Sequence, residues 1–163
     1  MFLLMSIYSV VVDPLTKTPV VILKEVEGKR ILPVWIGVLE ATSIAGELEG
    51  VKYPRPMTHD LLTNILELIG VKVSRVEVYD LKDNTYFAYI HIIHKDREIS
   101  IDARPSDDMS LALRVDAPIF VAEKVIQQSK QIYLEAEAED KSEEGKKWQG
   151  ILESFDPDDF GNT

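Results

Sequence analysis

Apolar and polar residues alternate, or run as short apolar blocks, through much of the first 130 positions. Blocks of this length, rich in Val and Ile and closed by turn residues, predict strands. The expected strands are 6–12, 20–26, 30–36, 72–79, 86–93 and 98–103, with a short one at 119–121. The apolar start, Met1-Phe2-Leu3-Leu4-Met5, leads into the first of them. Pro33 cannot donate to a ladder, so it predicts an edge position or a bulge. Asp13-Pro14, Lys82-Asp83-Asn84 and His94-Lys95-Asp96 supply turn chemistry.

Three segments change to helical spacing. Leu39, Ile44, Ala45 and Leu48 predict a helix over 37–48, stopped at Gly50. Thr58 is the expected N-cap of a helix over 59–69. That helix carries Leu61, Leu62, Ile65, Leu66 and Ile69 on one side and stops at Gly70. Arg104-Pro105-Ser106 opens a helix that ends near Val115, and 123–128 predicts a further short one.

The halves repeat each other. A shift of 67 residues lays Val11-Val12-Asp13 on Val78-Tyr79-Asp80, and a shift of 68 lays Ile31–Ile36 on Ile99–Arg104. The expected fold is therefore α+β: two βββα repeats related by a pseudo-twofold, with mixed or antiparallel sheets packed against helices. An extra helix joins the halves. A C-terminal helix is expected over 145–155, from Trp148, Ile151, Leu152 and Phe155. The expected division is a domain over 1–134 and an acidic linker with that helix over 135–163.

Charge sharpens the division. Residues 1–134 hold 15 basic and 18 acidic side chains, net −3; residues 135–163 hold 3 basic and 10 acidic, net −7. Such a balance disfavours tight non-specific nucleic-acid binding, which rests on Lys and Arg. It leaves room for a local basic patch, or for metal ions that offset phosphate charge. The chain has no cysteine, which removes disulfides, thiolate metal sites and cysteine nucleophiles. The apolar start lacks a basic flank and a cleavage pattern, and is too short to span a bilayer. A cytoplasmic protein with no membrane association is expected. Phosphate-binding glycine loops, nucleophile elbows and helical zinc motifs are absent from the sequence.

Four segments in order resemble the bifunctional nuclease domain family. They are Leu32-Pro33-Val34-Trp35-Ile36-Gly37 with Glu40, Arg55-Pro56-Met57-Thr58-His59-Asp60-Leu61, Lys82-Asp83-Asn84-Thr85 with Tyr86-Phe87-Ala88, and Ile101-Asp102-Ala103-Arg104-Pro105-Ser106-Asp107. Asp108 departs from the pattern, standing where a small residue, usually alanine, is expected. The resemblance implies a compact α+β domain, nuclease activity on DNA and RNA, and a homo-oligomer, with a dimer favoured.

Phosphodiester hydrolysis needs an activated water and neutralised phosphoryl oxygens, which carboxylate-held divalent metals supply. The candidate ligands for Mg²⁺ or Mn²⁺ are Glu40, Asp60, Asp102 and Asp107. Arg55 and Arg104 are candidate phosphate clamps, and Lys82 adds charge. His59 is a candidate general acid or base. Asp102, Asp107 and His59 form the expected catalytic set. Structural roles compete with each of these. Asp60, Asp107 and Asp108 occupy first helical turns, where carboxylates meet free N–H groups. Asp102 ends a strand beside Arg104, with which a structural pair is open to it. Trp35, Tyr86 and Phe87 are expected in the core. The rival to a nuclease is a non-catalytic oligomeric interaction or regulatory module.

Overall fold

The computed structural model describes residues 1–130 and Gly150. Seven strands form one mixed sheet. They are β1 (Phe2–Val12), β2 (Pro19–Glu25), β3 (Ile31–Trp35), β4 (Lys72–Lys82), β5 (Thr85–His94), β6 (Arg97–Ala103) and β7 (Ile119–Ala122). The helices are α1 (Val38–Leu48), α2 (Thr58–Leu68), α3 (Pro105–Val115) and α4 (123–130). The sheet order is β3-β2-β1-β7-β4-β5-β6. All neighbours are antiparallel except β4 and β7. Two three-stranded meanders thus flank β7, each followed by a helix. A single sheet holds both halves, where the sequence left open more than one.

Several local features follow from particular residues. β1 begins at Phe2 because Phe2–Met5 pair with Ala122–Ile119 of β7. Pro33 sits on β3, an edge strand, so its missing N–H costs no ladder bond. The β4–β5 and β5–β6 hairpins turn on Asp83-Asn84 and Lys95-Asp96, all at positive φ. This is the two-residue turn whose twist matches that of the strands. Gly50 and Gly70 follow α1 and α2 at φ +68° and +73°, where a left-handed residue ends a helix.

The core lies between the sheet and its helices. Val21, Leu23, Leu32, Val34, Val76 and Val78 face Ile44, Met109, Leu111 and Ile126. α3 is the central helix, with seven of its eleven residues buried, and it packs on α1, α2, β4 and β5. One expectation needs correction at α2. Its N-cap is Met57, not Thr58; the Met57 N–H donates to the Asp60 carboxylate at 2.9 Å, which settles the first turn one residue earlier. Its apolar side is not covered among the described residues. Leu66 packs on the core, but no α2 residue is buried, and Leu61 and Ile65 are 54% and 47% exposed. No helix among the described residues is long and apolar enough to cross a membrane. The helix expected over 145–155, and the acidic stretch before it, lie outside the described residues apart from Gly150, which is helical.

Candidate functional site

Three helix starts converge. Glu40 lies in the first turn of α1, His59 in that of α2 and Asp107 in that of α3. Arg104, the N-cap of α3, holds them together; Pro105 follows it at the first helical position, where no N–H is needed. Arg104 donates from Nε to Asp107 Oδ2 at 3.0 Å and from Nη2 to Oδ1 at 3.3 Å. Its Nη1 donates to Glu40 Oε1 at 2.9 Å. A guanidinium has five N–H donors. Two are left by these bonds, and the side chain is 66% exposed.

His59 extends the chain of contacts. Its Nε2 lies 2.9 Å from Asp107 Oδ1, and its Nδ1 lies 2.9 Å from Ser43 Oγ. An ionised carboxylate only accepts, so the neutral ring carries its proton on Nε2. Nδ1 then accepts the Ser43 hydroxyl. Burial works to raise the Asp107 pKa, but hydrogen bonds from Arg104 and His59 outweigh it and hold Asp107 below its ordinary value. The same pairing raises Arg104. Asp107 therefore stabilises the fold above its unfolded pKa, and that stability is lost as pH falls through the folded one. His59→Ala removes one of the bonds holding it down. The acid limb of the unfolding curve should move to higher pH, as followed by circular dichroism melts between about pH 3 and 6.

Beside this cluster opens a cavity of about 540 Å³. Its apolar walls come from Leu62, Phe87, Ile90 and Leu111, and Asp102, Arg104 and Asp107 supply its charge. Phe87 is half-buried and faces this space, so it is a wall and not core. Asp102 lies opposite Tyr89 in the β5–β6 register. The structural pair open to Asp102 does not form, because Arg104 is engaged with Asp107 and Glu40.

Other expected residues stand apart. Asp60 accepts from Met57 N–H and from Arg114 Nε at 2.8 Å, and these bonds, the Met57 one foremost, lower its pKa. Together with Arg55 it lines a second cavity. Lys82 pairs with Asp80 at 3.1 Å and does not line the first cavity, although Thr85, opposite it in the β4–β5 register, does. The four expected metal ligands therefore do not gather. Among the described residues, no group of three or more His, Asp or Glu is placed to hold a metal ion. Asp102 and Asp107 share one cavity, which matches the one or two carboxylates that Mg²⁺ commonly takes alongside substrate phosphates.

Asp108 has a different setting. It is wholly buried, and neither carboxylate oxygen has a hydrogen-bond partner. Burial above all, then the charges of Asp107 and Asp102, push its pKa up to about 8. The position has room for a small side chain and no partner for a polar one.

A model of the bifunctional nuclease domain matches residues 21–133. The chain belongs to the bifunctional nuclease domain family. An uncharacterised protein of Mycobacterium tuberculosis is 39% identical over 150 residues, covering 89% of this chain and 90% of that protein. Bifunctional nuclease 1 of Oryza sativa subsp. japonica is 23% identical over 109 residues, covering 64% of this chain but 33% of the plant protein. Bifunctional nuclease 2 of Arabidopsis thaliana is 26% identical over 105 residues, covering 62% and 32%. The match to the bifunctional nuclease domain spans all three converging helix starts. Ser43 and Arg114 escaped the sequence reading. The one available signal was spacing: Ser43 follows Glu40 by three residues and Arg114 follows Asp107 by seven on the same helix faces, although their partners, His59 and Asp60, lie on α2.

Proposed function

We propose that this chain is a divalent-metal-dependent nuclease that hydrolyses phosphodiester bonds in DNA, RNA or both. One observation carries the reading: Asp102, Asp107 and Arg104 share the wall of an apolar cavity large enough for a nucleotide. Family membership supports the same class of substrate. Arg104 is the phosphate clamp, through its two remaining N–H donors. Asp107 and Glu40 fix the guanidinium plane, and His59 fixes Asp107. Asp102 is the carboxylate that receives the proton of the attacking water. Phe87 and Leu62 face the base or sugar.

Charge explains the metal requirement. Glu40, Asp102 and Asp107 against Arg104 leave a net charge near −2, which repels a phosphate. A divalent cation at Asp102 and Asp107 would offset that charge and polarise the phosphoryl oxygens. Raising Mn²⁺ in the presence of a short single-stranded DNA should then raise the Tm of the wild type by linkage. Asp102→Asn should show a smaller shift. An unchanged Tm together with intact nucleic acid would sink the proposal.

The mirrored meanders around β7 support reading the halves as a duplication, in which Glu40 and Asp108 occupy equivalent first turns. The exposed stripe of α2 favours a homo-oligomer, with a dimer preferred. It also keeps a second reading in view: a non-catalytic oligomeric module, which predicts self-association without cleavage. A cytoplasmic location is proposed alongside.

A further inference from the structure

The second cavity lies on the other side of the α2–α3 seam and holds about 300 Å³. The end of α1, the segment 51–56, α2 and Arg114 enclose it. Lys52, Arg55 and Arg114 all line it, in a chain whose net charge is −10. Two carboxylates oppose them, Glu47 and Asp60. Asp60 is already neutralised by Arg114, at 2.8 Å. Lys52 and Arg55 form no ion pair among the described residues. With the Arg114–Asp60 pair neutral, Lys52 and Arg55 against Glu47 leave one surplus positive charge in the lining.

The cavity is also shaped. Arg114 is fixed, with its side chain 7% exposed. It donates to Asp60, to the Ser110 carbonyl at 3.0 Å and to the Ser43 carbonyl at 3.4 Å. Tyr53 forms one wall by lying against α1 at Gly46. A Cβ added there would stand 3.2 Å from the Tyr53 hydroxyl, so the glycine lets the ring approach. Asn64 adds an amide that can donate or accept. Cations lining a cavity beside an aromatic ring suit a phosphate monoester on a body of nucleotide size.

We infer that the Lys52–Arg55–Arg114 cavity is a second binding site, separate from the Asp102–Asp107–Arg104 cavity, that takes the phosphate monoester of a nucleotide. Lys52 and Arg55 hold the phosphate, and Arg114, paired with Asp60, fixes the wall behind them. Tyr53 stacks on the attached base. The site is linked to the first cavity by short contacts. Arg114 holds the Ser43 carbonyl, Ser43 Oγ bonds His59, and His59 bonds Asp107. The inference does not depend on nuclease activity, since binding alone tests it.

The test is calorimetric titration of the full chain at low ionic strength. The probes are 5′-AMP, inorganic phosphate, and adenosine as the phosphate-free control. Saturable binding of AMP and phosphate is expected, with adenosine weaker. The double variant Lys52→Glu/Arg55→Glu should weaken AMP by about tenfold or more, as loss of charge-assisted hydrogen bonds implies. Both side chains are exposed, so the fold should persist, checked by circular dichroism. Arg104→Gln reports on binding in the other cavity, whereas Arg97→Gln, at an exposed cation outside both cavities, should leave AMP affinity within about twofold. A 5′-phosphorylated trinucleotide separates the sources. Binding equal to AMP assigns the site to strand ends, and weaker binding assigns it to free nucleotides; either outcome supports a phosphate monoester. The inference is overturned if neither phosphate probe binds saturably, if adenosine matches AMP, or if Arg104→Gln abolishes binding while the double variant does not.

Discussion

Asp108→Asn is expected to stabilise the protein, and the gain should grow with pH. The native pKa of Asp108 lies near 8, above the ordinary 3.8 that applies to the unfolded chain. Between these values the native state holds a proton that the unfolded state has released. Stability therefore falls as pH rises through that window. Below about pH 4 both states are protonated and the variant gains little; above about pH 8 the gain reaches its plateau. At 1.36 kcal/mol per pKa unit, linkage sets an upper figure of about 4 kcal/mol at pH 7. For a chain of this size each kcal/mol moves Tm by about 2–4 °C. Asp108→Ala should stabilise as well, because it removes a buried carboxyl with no partner. Asp107 acts with the opposite sign, losing its contribution at acid pH. The wild type should therefore be most stable in mildly acidic solution. Melts of both variants across about pH 4 to 9 check the slope, and a constant offset at every pH would refute the buried-carboxylate account.

Much of this fold was legible because local patterns and tertiary packing agree. Alternation in Val- and Ile-rich blocks marked the strands, and Pro33 marked an edge. Asp83-Asn84 marked a hairpin turn. The exceptions have physical causes. Spacing marked the α2 stripe of Leu61, Leu62 and Ile65 but not its exposure, since it reports amphipathicity and not what covers it. Thr58 reads as a cap, since the Asp60 bond to the Met57 N–H is a structural event.

The site was legible in parts. His59, Glu40, Arg104 and Asp107 do meet, each in a helix start that the sequence had marked. Asp60 does not join them, although it adjoins His59. Neighbours on a helix point about 100° apart, and Asp60 turns to Arg114. Ser43 carries no distinctive signal, so its bond to His59 had no sequence trace beyond spacing. Asp108 showed itself as a departure from an expected small residue and as a first-turn carboxylate, but its oxygens meet no N–H group. The burial that explains the departure comes from α3 being the central helix.

The second large effect concerns Arg104. Arg104→Ala removes the clamp and leaves the Asp107 and Glu40 carboxylates without their shared cation. Cleavage should fall by at least about a hundredfold in kcat/KM, as when a preorganised transition-state donor is lost. Tm should move little, because the side chain is exposed and exposed ion pairs contribute about 0–1 kcal/mol. Arg104→Lys keeps the charge but not the planar fork, so it should recover only part of the rate. Steady-state cleavage of a labelled oligonucleotide measures both. Cleavage by Arg104→Ala close to the wild-type rate would remove Arg104 from the mechanism.

The most direct measurement is cleavage of single- and double-stranded DNA and RNA by highly purified wild type, Asp102→Asn and Asp107→Asn, prepared in parallel. Each is assayed with Mg²⁺, with Mn²⁺ and with EDTA. The account predicts metal-dependent cleavage by the wild type and its loss in both folded variants. Equal cleavage by all three proteins, or none by the wild type under any condition, would contradict it.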